Sequence, residues 1–218
     1  MMYLTPSLMC ADWCNIGAVV AELEQSGVDG FHVDIMDGVF VDNFALGMQD
    51  IMALKQLTQK PLDIHLMLQN PQKYIAQFAE AGADIIYVHP ESSHYIIRTL
   101  QQIRTFGVKS GIAINPETTV SEIVDYLEYA DLVMVMTVTP GFSGGTYLDF
   151  TERKVAQLTK HKAELGLTLE IFVDGALSEE RVQRLHDFGA SGFVLGTSAL
   201  FGKSESYLEI ITRMKANG

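Results

Sequence analysis

Cysteine is scarce in this chain of 218 residues, where only Cys10 and Cys14 occur. Two cysteines cannot build the dense disulfide framework of small secreted domains, and one C-x-x-x-C spacing is weak evidence for a metal site. We interpret both as small, partly buried thiols. The first residues, 1–6, carry no basic leader, and no stretch is long and apolar enough to span a bilayer, so we expect a cytoplasmic protein.

Positive charge is also in short supply. The 15 Lys and Arg residues are outnumbered by 27 Asp and Glu residues, which gives a formal net charge of -12. Nucleic acids and anionic membranes are bound by clustered basic side chains, so we expect neither as a partner. A small anionic ligand held by local backbone groups is compatible with this composition.

Apolar residues, in contrast, make up 48% of the chain. They fall into short runs, each followed by a loop and a helical stretch, and most runs are apolar throughout, as in parallel strands buried on both faces. Strands are expected at 4–9, 30–34, 62–66, 85–89, 110–115, 132–138, 169–173 and 192–195. Helices are expected at 15–25, 48–57, 70–82 with Asn70 as N-cap, 93–106, 119–129, 148–165, from Ser178 onwards, and 206–215.

Eight strand–helix units without a linker predict an α/β protein, a single (β/α)8 TIM barrel that spans residues 1–218 as one domain. The alternative is an open, doubly wound sheet, but no Gly-x-Gly-x-x-Gly motif follows the first strand. In a barrel, catalytic residues lie at the carboxyl ends of the strands and in the loops after them. Chemically active side chains are therefore expected at those positions.

Two histidines and two aspartates stand near the ends of three strands. His32 and Asp34 are two residues apart, so strand alternation points both side chains to the same face. His65 lies near the end of the third strand, and Asp174 follows the seventh. Taken singly, each has an ordinary explanation as a core histidine, a helix-capping aspartate or a turn residue before Gly175. Together they form a nitrogen and oxygen donor set for one divalent ion, namely zinc, iron(II), manganese or cobalt.

The second and seventh strands lie far apart around an eight-stranded ring, so Asp34 and Asp174 can face each other across the barrel mouth. A flat substrate between them would have one carboxylate on each face. If a metal ion polarised a neighbouring carbonyl group, a proton could leave from one face and return to the other, which is an epimerisation. Asp63 shares the face of His65 at a deeper level and is a candidate hydrogen-bond partner for a ligand.

Other residues of the same rim are expected to contact a substrate. Met36, Met67 and Met136 lie at strand ends, where methionine usually fills the core but can also cover a planar intermediate. Glycine-containing loops follow the last three strands, and their amides can bind a phosphate without a lysine, although each glycine pair alone also fits a simple turn. A short helical turn is expected at 198–201, and Lys203 is the nearest basic residue. The loop residues are Gly141, Gly144, Gly145, Gly175, Ala176, Gly196, Thr197 and Ser198.

With these residues assembled, the chain resembles the ribulose-phosphate 3-epimerase family along essentially its whole length. The matching stretches occur in order at 6–12, 32–38, 65–67, 89–91, 115–116, 136–138, 140–142, 173–175 and 196–198. The resemblance implies a barrel of the ribulose-phosphate-binding type, a metal ion held by the two histidines and two aspartates, and the aspartates as the acid–base pair. It also implies that Ser7 and the three methionines lie near the substrate, and that the protein is a homo-oligomer.

Within that family, the stretches 7–10, 34–38, 115–118 and 196–201 are most similar to the allulose-6-phosphate 3-epimerase branch. The function expected first is therefore metal-dependent inversion at carbon 3 between D-allulose 6-phosphate and D-fructose 6-phosphate. The alternative substrate pair is D-ribulose 5-phosphate and D-xylulose 5-phosphate.

Two other classes of function are less compatible with these residues. A decarboxylase or lyase on the same barrel would need a lysine at a strand end, and strands two, three and seven supply none. A non-catalytic phosphosugar-binding barrel would not require two opposed carboxylates. Two departures from the family pattern touch the expected phosphate loops: Gly145 stands where the family has a glutamine, and Ala176 where it has a second glycine.

Overall fold

The computed structural model describes residues 2–218, which form eight strands and seven α-helices; an α-helix follows every strand except the fifth, which is followed by two 3-10 helices. The strands are β1 (Tyr3–Pro6), β2 (Phe31–Met36), β3 (Leu62–Met67), β4 (Ile85–Val88), β5 (Lys109–Ile114), β6 (Leu132–Met136), β7 (Glu170–Asp174) and β8 (Gly192–Leu195). The helices are α1 (Ile16–Gln25), α2 (Met48–Leu57), α3 (Ile75–Ala81), α4 (Ile96–Thr105), α5 (Glu152–Glu164), α6 (Glu179–Asp187) and α7 (Tyr207–Ala216).

All eight strands are parallel and belong to one sheet, in the order β1-β8-β7-β6-β5-β4-β3-β2. The first strand pairs with the last, from Tyr3 beside Gly192 to Pro6 beside Leu195. A bridge between Ser7 and His32 joins the remaining pair, β1 and β2. The predicted single (β/α)8 barrel is therefore confirmed, and the open doubly wound sheet is excluded.

Hydrophobic burial is concentrated between the strands and the helices. Alternate residues of β2, Phe31, Val33 and Ile35, are buried and belong to this layer, which also takes in Val20 and Leu23 of α1. Full burial of one such side chain contributes about 1.5–3 kcal/mol. Because this outer layer supplies the apolar core, the residues of β2 that point into the barrel are free to be polar.

A second, smaller apolar cluster fills part of the barrel interior. Its two largest rings belong to Tyr87 and Phe172, and both are buried. A Cβ atom at Gly111 would overlap the ring of Tyr87, and one at Gly192 would overlap the ring of Phe172. The two rings fit inside the barrel because the adjacent strand carries a glycine directly beside each ring. The other members are Ile85, Ala113, Leu132, Met134, Met136, Val138 and Val194.

Most predicted strand ends agree with the structure to within two residues, but the first strand does not. It stops at Pro6 rather than Met9, because Leu8–Cys10 form a 3-10 turn in which the Cys10 amide donates to the Ser7 carbonyl at 3.0 Å. The helical stretch expected at 119–129 is present, but it consists of two 3-10 helices, Val120–Glu122 and Val124–Tyr129, rather than an α-helix. Val120 and Ile123 are both buried and three residues apart, which is the period of a 3-10 helix.

Helix starts differ from expectation more often than helix ends. Asn70 has a left-handed backbone (φ 58°) and forms no side-chain cap, and a 3-10 turn at Pro71–Lys73 precedes α3. Another 3-10 turn, Asp149–Thr151, precedes α5. Helix α6 begins as predicted after Ser178, whose hydroxyl accepts a hydrogen bond from the Arg181 amide at 3.3 Å. Within residues 2–218, none of the helices combines the length and apolarity of a bilayer-spanning segment.

Candidate active site

Neighbouring strands bring three of the four predicted ligands together. In the β2–β3 register, His32 lies beside Asp63 and Asp34 beside His65, so these side chains enter the barrel as adjacent pairs. Asp174 is the last residue of β7 and lies beside Met136 of β6. Both histidine side chains are fully buried, and Asp34 is 5% exposed. The site therefore lies at the carboxyl ends of the strands, as the barrel fold requires.

The four predicted ligands converge closely. Atom Oδ1 of Asp34 lies 3.2 Å from Nε2 of His32 and 3.2 Å from Nδ1 of His65. Atom Oδ2 of Asp174 lies 4.0 Å from the same Nδ1 atom of His65. One ligand atom from each of the four residues falls within 4.8 Å of all the others. Two ring nitrogens and two carboxylate oxygens at this spacing could hold a divalent ion.

Hydrogen bonding around His32 tests whether the site fits a metal ion. Its Nδ1 atom contacts Oδ1 of Asp63, whose other oxygen accepts a hydrogen bond from the Thr5 hydroxyl at 2.8 Å. The Nε2 atom of His32 is buried and has no hydrogen-bond partner among the described residues. A ring whose Nδ1 proton is held by a carboxylate presents the Nε2 lone pair to the site, as a metal ligand does. The residues therefore fit a divalent ion.

The expectation that Asp63 is a deeper hydrogen-bond partner of a candidate ligand is confirmed, and that ligand is His32. It shares the face of His65 on β3, yet it contacts His32 on β2, which lies directly beside it in the register.

The two carboxyl groups differ in their affinity for protons. Burial alone would raise the pKa of Asp34, but the charge of the neighbouring His32 holds it well below its usual range. Burial, helped by the nearby charges of Asp34 and Asp63, raises the pKa of Asp174 to about 7. Asp34 is therefore ionised near neutral pH while Asp174 can carry a proton. Environments that separate two pKa values in this way are typical of an acid–base pair.

The two histidines also differ. Burial opposes charge on His32, but the neighbouring Asp63 and Asp34 raise its pKa well above the usual value. Burial lowers the pKa of His65 to about 4, against the opposing influence of Asp34. His65 is thus neutral over the physiological range, which is the state that a metal-ligating imidazole requires.

A pocket opens directly above these four residues, and Asp34 and Asp174 form part of its wall. The Ser7 hydroxyl lies in the same wall and donates a hydrogen bond to Oδ2 of Asp34 at 2.7 Å. All residues expected at the substrate line this one pocket: Ser7, Met36, Met67, Met136, Gly141, Gly144, Gly145, Gly175, Ala176, Gly196, Thr197 and Ser198. The pocket is also lined by residues for which the sequence predicts no substrate contact, namely Met9, Cys10, Val138, Pro140, Phe142, Ser143 and Val194.

The loops after β7 and β8 form one side of the pocket. The expected short helical turn is present after β8: the amides of Ala199 and Leu200 both donate to the Gly196 carbonyl, at 3.3 and 2.9 Å, but the turn does not continue into a helix. Ala176 has a left-handed backbone (φ 47°), and its carbonyl accepts a hydrogen bond from Arg181 at 2.7 Å. Among the described residues, the amides of Ala176 and Ser198 donate to no protein acceptor, which leaves them free for a ligand.

Two polar residues next to the site were missed as functional candidates. Nε2 of His89 lies 2.8 Å from Nε2 of His65, and Glu91 lies on the far side of His89. Strand alternation could have identified His89, because it lies two residues after Tyr87 and continues the inward face of β4. The sequence does not reveal that His89 contacts His65, since this contact depends on the alignment of β3 with β4.

Solved structures with the same fold are distant in sequence. The chain aligns with the crystal structure of KGPDC from Streptococcus mutans at a TM-score of 0.71 and 13% identity, over 100% of this chain and 97% of that one. The native KDPGal structure aligns at a TM-score of 0.66 and 18% identity, over 100% of this chain and 95% of that one. At such low identity the likeness shows the barrel fold alone.

Sequence comparison is more specific. The Ribulose-phosphate 3 epimerase family profile matches residues 3–201. The ribulose-phosphate 3-epimerase of Bacillus subtilis (strain 168) is 38% identical over 206 residues, covering 94% of both chains. That of Synechocystis sp. is 39% identical over 218 residues, covering 97% of this chain and 92% of the relative. The chloroplastic ribulose-5-phosphate-3-epimerase of Arabidopsis thaliana is 38% identical over 216 residues, covering 98% of this chain and 76% of the relative. This chain therefore belongs to the ribulose-phosphate 3-epimerase family and is an isomerase of the epimerase class.

Proposed function

We propose that the protein inverts carbon 3 of a ketose phosphate by two-base proton transfer between Asp34 and Asp174. One observation carries this proposal: two carboxyl groups of opposite proton affinity enter the same pocket from β2 and β7, beside two histidines. Epimerisation needs one group that accepts a proton and another that donates one from the opposite face.

Each side chain has a defined part in this chemistry. Asp34 removes the proton from carbon 3, and Asp174 delivers its own proton to the other face, so the pair ends with the proton moved from Asp174 to Asp34. The Ser7 hydroxyl orients Asp34 through its hydrogen bond. A divalent ion held by the two histidines and two aspartates would polarise the carbonyl oxygen and stabilise the negative charge of the enediolate.

Three methionines would protect the planar intermediate. Met36, Met67 and Met136 all line the pocket and are no more than 5% exposed. Their thioether chains are apolar and adaptable, so they can cover a flat intermediate and keep water from it.

The phosphate would be held by backbone amides. Ala176 and Ser198 offer unpaired amides on the same side of the pocket, and both residues line it. Amides that converge in loops of this kind bind phosphate without a basic side chain, and in barrels the phosphate site commonly uses the loops after the seventh and eighth strands.

Two substrates have specific support. Of the four stretches that resemble the allulose-6-phosphate branch, those at 7–10, 34–38 and 196–201 contribute residues to the pocket wall. Loops carry specificity more directly than overall identity does. We therefore place D-allulose 6-phosphate first. D-Ribulose 5-phosphate is the second candidate, because the relatives that resemble the whole chain are named for it.

Isotope exchange tests the reaction and the substrate together. Each purified ketose phosphate is incubated with metal-loaded protein in deuterium oxide, and deuterium at carbon 3 is measured in substrate and product. We expect one deuteron at carbon 3 and a kcat/KM at least tenfold higher for D-allulose 6-phosphate, about 1.4 kcal/mol of transition-state stabilisation. The reverse order would assign D-ribulose 5-phosphate instead. Binding without exchange of either compound would make the protein a non-catalytic phosphosugar-binding barrel.

A further inference from the structure

His89 and Glu91 lie outside the candidate ligand set but continue it. Nε2 of His89 and Nε2 of His65 face each other at 2.8 Å. Two ring nitrogens at this distance hold one proton between them, because two lone pairs or two N–H groups would repel. The position of that proton decides which nitrogen of His65 keeps its lone pair.

Only one arrangement suits a ligand at His65. Its Nδ1 atom faces Asp34 and Asp174, so Nδ1 must carry the lone pair and Nε2 the proton. Nε2 of His65 then donates to Nε2 of His89. His89 must therefore accept at Nε2 and carry its own proton on Nδ1.

Glu91 is placed to hold that proton on His89. Atom Nδ1 of His89 is buried and forms no standard hydrogen bond among the described residues, and Oε2 of Glu91 lies 3.4 Å away. Burial alone would raise the pKa of Glu91, but its contacts with His89 and Thr118 lower it to about 2, so the group is a carboxylate. A carboxylate can only accept, which favours the N–H of His89 on the side that faces Glu91.

The position of Glu91 is fixed from the next loop. Its Oε1 atom accepts hydrogen bonds from the Asn115 amide, at 3.0 Å, and from the Thr118 hydroxyl. Lys154 of α5 holds that loop by donating to the carbonyls of Asn115 and Pro116, at 2.9 and 2.7 Å. With Oε1 occupied, Oε2 is the oxygen left to face His89.

We propose that His89 and Glu91 are positioning residues that set the tautomer of His65, so that its Nδ1 lone pair points into the site. Neither residue touches the substrate in this role; both act through His65. The inference rests on the metal site of the proposed function, and it adds a hydrogen-bonded line from β3 through β4 to the loop after β5. Groups that orient a metal-ligating histidine in this way typically change metal affinity about 10- to 100-fold when they are replaced.

Variants of His89 and Glu91 test this assignment through metal affinity. Zinc affinity is measured by competition with a chelator for wild-type protein, His89→Phe, His89→Gln and Glu91→Gln. We expect His89→Phe to bind zinc about 10- to 100-fold more weakly. His89→Gln should recover part of this loss, because its amide oxygen can accept a hydrogen bond from His65. The zinc affinity of Glu91→Gln should lie between those of wild type and His89→Phe. Ser92→Ala is the matched control: its hydroxyl donates to the His89 carbonyl in the same turn but not to the ring, so its affinity should equal that of wild type.

Nitrogen-15 spectra of the histidines in zinc-loaded protein give a readout independent of activity. We expect Nε2 of His65 and Nδ1 of His89 to be protonated in wild type, and the pattern at His65 to change in Glu91→Gln. Equal zinc affinity in wild type and both His89 variants would overturn the inference, as would a proton on Nε2 of His89. If wild type binds no divalent ion, the metal site and this inference both fail; if it binds zinc and the variants match it, only this inference fails.

Discussion

At the scale of single residues, the two carboxyl groups dominate the chemistry. Asp34 and Asp174 reach the same pocket from β2 and β7, yet one is held ionised and the other is held near its protonated form. The difference comes from their neighbours: Asp34 contacts both histidines, whereas the partly buried Asp174 lies near other carboxylates. Such a pair titrates as a unit, so its two groups are separated better by substitution than by a pH profile.

Replacing each carboxylate by its amide should separate the two faces of the reaction. In Asp174→Asn, epimerisation should stop, while Asp34 still exchanges the carbon-3 proton of one epimer with solvent. Asp34→Asn should exchange the other epimer only. Asparagine can still ligate through its oxygen, so metal content is measured first in both variants. Equal exchange of both epimers by each metal-loaded variant would contradict the two-base mechanism.

Metal affinity should depend on pH through His32. Its pKa is raised by Asp63 and Asp34, so metal-free protein carries a proton on the nitrogen that would become a ligand. That proton competes with the ion below the raised pKa and no longer competes above it, and below about pH 7 the proton of Asp174 competes as well. Affinity should therefore rise at least about tenfold per pH unit near pH 7. Calorimetry in buffers of different ionisation enthalpy should detect at least about one proton released per ion, from His32, with a further contribution from Asp174 below about pH 7.

The matched variant for this pH dependence is Asp63→Asn. It keeps an oxygen for Nδ1 of His32 but removes the charge that raises the pKa. The metal affinity of this variant should change less steeply with pH near neutrality than that of wild type. A wild-type affinity that does not vary between about pH 6 and 8 would rule out a charged His32 in the metal-free protein.

At the scale of strands and helices, the aromatic rings inside the barrel leave no space for a side chain at Gly111 or Gly192. Gly111→Ala and Gly192→Ala should each destabilise the protein by about 1–3 kcal/mol or more, because the new methyl group meets the ring of Tyr87 or Phe172. Gly17→Ala is the control: at that helical position a methyl group meets only Leu57, at 3.6 Å, and should be neutral or stabilising by up to about 1 kcal/mol. Urea unfolding measures all three. Equal stability of Gly111→Ala and Gly17→Ala would refute the tight packing.

The loops after β6, β7 and β8 yield a prediction about phosphate binding. Because backbone amides are expected to hold the phosphate, Lys203→Ala should change KM by less than about threefold, which is under 1 kcal/mol of binding. Steady-state kinetics with the preferred ketose phosphate would show this. A hundredfold rise in KM, about 2.7 kcal/mol, would mean that a cationic side chain dominates instead.

Sequence patterns predict the strands and the candidate ligands, but not the contacts that depend on strand register. The strands were predictable because continuous apolar runs between helices leave few alternatives. The helical character of 119–129 was predictable too, but its 3-10 geometry was not, because its Val, Asp and Tyr residues have weak α-helix propensity and its buried positions decide the geometry. His32, Asp34, His65 and Asp174 could be found by alternation and strand position. The partners of His32 and His65 could not, since both depend on the register between different strands.

At the scale of the whole molecule, a metal ion that binds only the folded state should stabilise it. At a concentration one hundred times Kd the gain is about 2.7 kcal/mol, or roughly 5–10 °C in Tm for a domain of this size. Thermal unfolding with and without a chelator measures the difference. His65→Ala should lose the shift, while Ser92→Ala should retain it; a shift of equal size in His65→Ala would place the ion elsewhere.

The bridge between Ser7 and His32, and the pairing of residues 3–6 with residues 192–195, have a consequence for synthesis. The first strand to leave the ribosome finds its partner on the last strand to leave it. Until residues 192–195 emerge, residues 3–6 lack their strand partners on β8, and the chain cannot close into a barrel. Contacts so distant along the chain form late and slow the folding of the domain. A ribosome-bound chain that lacks β8 should therefore be inactive, and activity should arise only after the final strand has closed the ring.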